Sequence, residues 1–306
     1  MDEKPIRGIN VLRKKKQKTG EVTARKNPVY PYSAERELAR VTLSYTEAII
    51  KTTQPYINRL MRQYEERNYR QDAVGDFISS VRGQKFAAAE KLSQKHGLLK
   101  NVEKGYQFSS KLAMNHSIND WNEQVKDALG MSVNKEWYSE NMEDMVGNWI
   151  RSNVSKIQSV PAEYLTEVEN IIRWGYETRQ PKVNVYRKLE KLTGMSRSKA
   201  LMIARDQLGT LNAQMTRFEH ESAGISKYKW ITKRDSRVRD SHRALHGTIQ
   251  SWNNPPPMWY MTVSRGIVYT GRYCNPGEDY GCRCIAKPVF DLDSAKELLA
   301  QKFKPL

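Results

Sequence analysis

The chain has 306 residues, enough to bury a sizeable core in one elongated domain or in two. Its formal charge of +17 points to a polyanionic partner, DNA or RNA ahead of a membrane surface. No apolar run approaches the roughly 18–20 residues of a membrane span, and MDEKPIRGINVLRKKKQKTG lacks a signal-peptide core, so neither a span nor secretory export is expected.

In chain order, residues 1–33 read as a flexible basic tail. Nine basic residues oppose three acidic ones there, and the few apolar residues show no period. Arg13, Lys14, Lys15, Lys16, Lys18, Arg25 and Lys26 are candidate nucleic-acid contacts, the alternative being a stretch that simply stays solvated.

Residues 34–222 carry helical periodicity nearly throughout and form a long helical body. Leu38, Val41, Tyr45 and Ala48 share one helix face, and Pro55 is expected to kink or break that run. Val74, Phe77, Ile78 and Val81 mark a second helix, and Phe108, Leu112, Trp121, Val125 and Leu129 a third. A stripe from Met142 to Ile157 makes a fourth. Ser159 then stands as the N-cap of a fifth, with Pro161 in its first turn. The last run is the most regular: Leu201, Ala204, Leu208, Leu211, Met215 and Phe218 step by three and four, behind Ser196 as N-cap.

The texture changes after Gly224. KYKWIT, TIQSW, GIVYT and CRCIAKPV read as short strands separated by turns such as NNPPP and NPGEDYG. The expected fold is therefore mainly α, with a small α+β module at 223–290 and a closing helix or tail at 291–306, the helix itself over Leu292–Lys302.

The module concentrates the chemistry. In DSRVRDSHRALHG, Asp235 or Ser236 can cap a short helix that stops at Gly247, with Asp235 and Arg239 spaced to pair. Val238, His242 and Leu245 share a face, so His242 should point inward. Cys274, Cys282 and Cys284 are the only cysteines. An odd count argues against a disulfide scaffold and towards metal ligation or plain thiols. On a strand, Cys282 and Cys284 would face the same side. With Cys274 and His242 they could close a structural zinc shell, His246 being the competing fourth ligand.

Catalytic readings are poorer. HRALH places Arg243 where a zinc protease needs its glutamate, and no phosphate-binding loop of the GxxxxGK[ST] type is present. A metal-dependent nuclease or hydrolase using Asp235, Asp240, Glu278 and Asp279 is the alternative enzyme reading.

The order ALMIARDQLGTLNAQ, YKWITKRDSRVRDSHRALHG, a proline-rich loop and PGEDYGCRCIAKPV resembles the phage Mu F-like head morphogenesis family, over roughly 140–290. The resemblance implies a minor head protein at the portal vertex, in the virion head interior and in the host cytoplasm during assembly. Its implied partners are the portal protein, capsid or scaffolding protein, and genomic double-stranded DNA bound without sequence preference. Its implied roles are head assembly and genome packaging, retention or ejection. The motif positions that match are Trp230, Asp235, Arg237, Arg239, His242, Leu245, Gly247, Pro276, Cys282 and Cys284. Two positions depart from the family pattern, Asp206-Gln207 in place of an expected acid at the second site, and His246 before Gly247.

Overall fold

The computed structural model of the chain describes residues 9–10, 20–67 and 74–291. The elements in order are β1 (Ile9–Asn10), β2 (Glu21–Val22), α1 (Tyr32–Arg67), α2 (Val74–Ser93), α3 (His96–Leu129), β3 (Ser132–Val133), α4 (Lys135–Gln158), α5 (Val160–Glu177) and α6 (Lys182–Ser222). The module continues with β4 (Lys227–Ile231), α7 (Asp240–Leu245), β5 (Ile249–Ser251), β6 (Pro257–Thr262), β7 (Gly266–Tyr273), β8 (Ile285–Pro288) and β9 (Phe290–Asp291). Lys14, Lys15, Lys16, Lys18 and Arg13, like the expected closing helix, lie outside the described residues.

Two units divide the chain, and neither is a continuous stretch. The first takes the described residues of Met1–Glu35, Ser110–Gly147 and Asp206–Leu306; the second takes those of Arg36–Ser109 and Asn148–Arg205. The cuts between the units fall within α1, α3, α4 and α6, because helices this long outrun a single core.

The second unit is helical. Phe77 stacks on Tyr176 at 4.2 Å between ring centres, and the Tyr64 hydroxyl donates to Gln180 O at 2.6 Å. α1 does not break at Pro55. Ile57, Leu60, Met61 and Tyr64 beyond the proline are all buried, and at about 1.5–3 kcal/mol each they outweigh the roughly 3 kcal/mol that an interior proline costs. Ser196 caps nothing: α6 is one helix of 41 residues, and the Ser196 hydroxyl donates back to Leu192 O at 2.9 Å. Val185 and Leu189 before it are as buried as Ala200 and Ala204 after it, so the core-facing stripe begins sixteen residues before Leu201, which is itself 40% exposed. Ser159 does precede α5, but its hydroxyl donates to Glu163 and Lys156 O and makes no cap to the helix amides. Phe108 is 54% exposed, because α3 turns Tyr106, Ser109, Ser110 and Ala113 inward instead.

The first unit holds the module. β4 is central in an antiparallel sheet ordered β5–β4–β8, and β6 pairs with β7 as a separate hairpin. β6 was not anticipated, since PMWYMT follows directly on the prolines. Residues 20–31, expected to be tail, are tied down: β2 pairs with β9, Val29 N donates to Asp120 Oδ1 at 3.2 Å, and Tyr30 is buried. Arg25, a candidate DNA contact, pairs with Asp127 at 3.0 Å while its side chain stays 86% exposed. The 274–284 loop lies on α6 at closest range. A Cβ on Gly209 would meet Cys282 O at 2.9 Å, and one on Gly277 would meet the Ala213 Cβ at 2.8 Å. Gly277 also has φ +87°, a backbone that side chains disfavour. Gly277→Ala should therefore cost about 1–3 kcal/mol, read as an earlier unfolding midpoint in urea.

Candidate metal centre

Two segments that are distant in sequence build the centre. The first follows β4, whose Trp230 is fully buried. Instead of starting a helix at Asp235, the chain makes a turn there. Val238 N donates to Asp235 O, and Arg237 N donates to the Asp235 carboxylate at 3.2 Å. α7 begins only at Asp240, behind Arg239 in extended conformation, and ends before Gly247 at φ +83°. The expected Asp235–Arg239 pair does not form, because helical spacing does not yet apply across that turn. His242 sits on the inner side of α7 at 2% exposure, and Leu245 packs on the same apolar cluster.

The second segment is the loop from Cys274 to Cys284. Glu278 accepts from Asn275 N at 2.6 Å, Tyr228 OH donates to Asn275 Oδ1, and Cys282 N donates to Asp279 O. Asp206 of α6 accepts from Gly281 N at 2.6 Å, so an acid at this position does have a structural role. Cys282 and Cys284 precede β8 and are not part of it, yet both sulfurs reach the same imidazole nitrogen. The His242 Nδ1 lies 3.5 Å from Cys282 Sγ and 3.4 Å from Cys284 Sγ.

The ligand atoms of His242, Cys282 and Cys284 all lie within 4.8 Å of one another, and all three residues are buried. Tetrahedral zinc with bonds of about 2.3 Å to sulfur and 2.0–2.1 Å to nitrogen separates N from S by about 3.5 Å, so the observed spacing fits that ion. Two thiolates and an imidazole are also the soft donor set that zinc prefers over magnesium or calcium. On its far side, His242 Nε2 lies 3.3 Å from Asp279 Oδ2, the outer carboxylate that commonly orients a metal-bound histidine. Asp279 is itself held by Arg272 at 2.6 Å and Arg239 at 3.4 Å.

The remaining expected ligands behave differently. Cys274 is buried in the same cluster, but its sulfur falls outside the converging group, so three of the four expected ligands meet. His246 is turned away: Thr232 N donates to its Nδ1 at 3.0 Å, and Arg234 contacts its Nε2. The four acids of the alternative hydrolase reading do not gather either. Asp235 pairs with Arg283 at 2.6 Å, Asp240 accepts from Met261 N, and Glu278 folds onto Asn275. Only Asp279 touches the centre. Asp279 was named only as one of four acids of the hydrolase reading, and its place behind His242 depends on Arg239 and His242 from a separate segment; Arg272 was not named at all.

Electrostatics match the geometry. Burial opposes charge on His242, but Asp279 and Cys282 outweigh it and hold the imidazole up at about 9. The Cys284 hydrogen bond, and His242 beside it, push the Cys282 thiol well below its ordinary range against burial. Cys284 is pushed up by Cys282 and keeps its proton. Burial raises Cys274 to about 11, as for an ordinary core thiol. At neutral pH the metal-free pair is a Cys282 thiolate beside a protonated His242, so a cation would displace the imidazole proton and the Cys284 proton as it binds. A chelator should lower the melting temperature of the wild-type chain and of Cys274→Ser, and leave Cys282→Ser unchanged, in scanning fluorimetry.

Residues 166–287 match the family described as Phage Mu protein F like protein. An uncharacterized protein of Haemophilus influenzae is 28% identical over 241 residues, which is 77% of this chain and 49% of the relative. The chain therefore spans about half the length of that curated relative. No solved structure matches the chain. The matched residues take in α6, the β5–β4–β8 sheet but for its last residue, and every side chain of the His242–Cys282–Cys284 centre. Residues 166–287 are thus a Phage Mu protein F like segment, the family that the chain's own motifs resemble.

Proposed function

We propose that the chain is a minor bacteriophage head protein acting in head morphogenesis, associated with the portal vertex and in contact with packaged DNA. The observation that carries this reading is the coincidence of the Mu F-like match with a buried His–Cys–Cys centre. His242, Cys282 and Cys284 are 2–4% exposed, so it is burial, and not a full set of four protein ligands, that keeps a substrate from the ion. In this reading the ion is zinc, it is structural, and its binding adds directly to folding free energy.

The helical stretches supply contact surface for portal, capsid or scaffolding protein. No described helix is long and apolar enough to cross a membrane. The charge of +17 supports contact with duplex DNA through phosphates and not through base edges, with Arg13, Lys14, Lys15, Lys16, Lys18, Arg25 and Lys26 as its candidates. Genome packaging, retention or ejection would then be the step served.

Quantitative mass spectrometry of purified particles tests the assignment. The chain should be present at a few to a few dozen copies per head and co-purify with the portal ring; its absence from every particle would discard the reading. DNA affinity should fall about a thousandfold between 50 and 200 mM salt, as roughly six phosphate contacts require, and should not depend on sequence. A shallow slope in a fluorescence anisotropy titration would contradict the DNA contact while leaving the head assignment intact.

A further inference from the structure

Away from the cysteines, α3 and α6 face each other across a small polar cavity within the first unit. Ser117, Asp120 and Gln124 on α3 and Asn212, Thr216 and Glu219 on α6 supply its oxygen atoms. The cavity measures about 20 Å³. One water-sized body needs about 10–15 Å³ of such space, so there is room for a single ion or water and none for an organic ligand.

Charge is the anomaly. Two carboxylates line this wall, and no lysine or arginine does among the described residues. Glu219 is 3% exposed, and Ser117 Oγ donates to its Oε1 at 2.8 Å. Asp120 accepts from Val29 N through Oδ1. His220 also lines the cavity but brings no charge: its Nδ1 accepts from Trp252 Nε1 at 3.2 Å, and burial lowers its pKa to about 3. His116, beside Asp120, has its Nε2 on Val29 O at 2.8 Å. Gln124 is also 3% exposed, and its Oε1 has no hydrogen-bond partner. Buried acids are seldom left without a counter-charge, and a buried acceptor without a donor costs about 1–3 kcal/mol.

We propose that this cavity binds one hard divalent cation of the calcium type, with Asp120 and Glu219 as its anionic ligands and Gln124 Oε1 as a neutral one. Two carboxylates balance a double charge. Calcium accepts six to eight oxygens in flexible geometry, whereas magnesium demands a near-octahedral shell and keeps several waters, for which the cavity has no room. Ser117, Asn212 and Thr216 supply the remaining oxygens. The burial that pushes the Glu219 carboxyl well above its ordinary range agrees with an acid that has no counter-charge of its own. The soft cysteine centre does not compete for such an ion.

Terbium luminescence on the full-length chain tests the site. Trp121 lines the cavity, so excitation of tryptophan should sensitise emission from one bound Tb3+, and calcium should displace it. Glu219→Gln keeps shape and the Ser117 contact, and Gln124→Met keeps volume, so both should fold. Each should weaken terbium binding by more than about tenfold, the loss seen when even an outer partner of a metal ligand is removed. Calcium should also raise the melting temperature of the wild-type chain. Absence of sensitised emission, or equal affinity in both variants, would assign the cavity to water and overturn the proposal.

Discussion

The module depends on a mutual lock between the 235–247 segment and the 272–284 loop. Three cross-links make it. Asp235 holds Arg283 between the two cysteines, Arg239 holds Asp279, and His242 bridges Asp279 to the thiols, while Arg272 steadies Asp279 from within its own segment. Neither segment has enough regular structure to hold itself, since α7 is six residues long and no strand runs between Tyr273, the end of β7, and Ile285. The motif residues are accounted for in the same way. Trp230 packs edge-on against the His242 ring, Leu245 covers the cluster, Gly247 takes the left-handed turn back to β4, and Pro276 is buried in the loop. Asp279 and His242 are buried, whereas Arg239, Arg272 and Asp235 are a third or more exposed, so losing one of the exposed partners costs less than the roughly 3–5 kcal/mol of a fully buried pair.

The lock needs a floor, and α6 provides it. Asp206, Gly209 and Ala213 lie along one side of the helix, where an acid receives the Gly281 amide and two small residues let the loop backbone come within contact distance. On the other side of the same helix, Leu208, Leu211 and Met215 are fully buried. One helix thus serves both as core and as docking surface. The aromatic residues Tyr228, Trp230 and Trp252 pack in one buried cluster with the three cysteines, and Trp121 stacks on Phe290 of β9.

Much of this was legible where the signal was local. The inward side of His242 followed from its spacing to Leu245, and the strands at 227–231, 249–251 and 266–273 followed from alternation and flanking turns. Cys282 and Cys284 converge as expected, although irregular backbone ahead of β8 and not a strand does it. What local pattern cannot carry was misread. Pro55 and Ser196 looked like boundaries because propensity ignores the buried stripe running across them. Residues 20–31 looked like tail because their partners, Asp120, Asp127 and β9, are about a hundred residues or more away. Asp279 looked like an ordinary turn acid, and only folding brings His242 and Arg239 to it.

The account rests on a centre of two sulfurs and one nitrogen, with Asp279 behind the histidine and Cys274 outside. X-ray absorption at the metal edge of the purified full-length chain reads that set directly. A zinc edge with two sulfur scatterers at about 2.3 Å and nitrogen or oxygen at about 2.0–2.1 Å is the predicted result. A three-sulfur shell would bring Cys274 into the centre, and a chain purified without metal would leave the lock to hydrogen bonds alone; either would contradict the account.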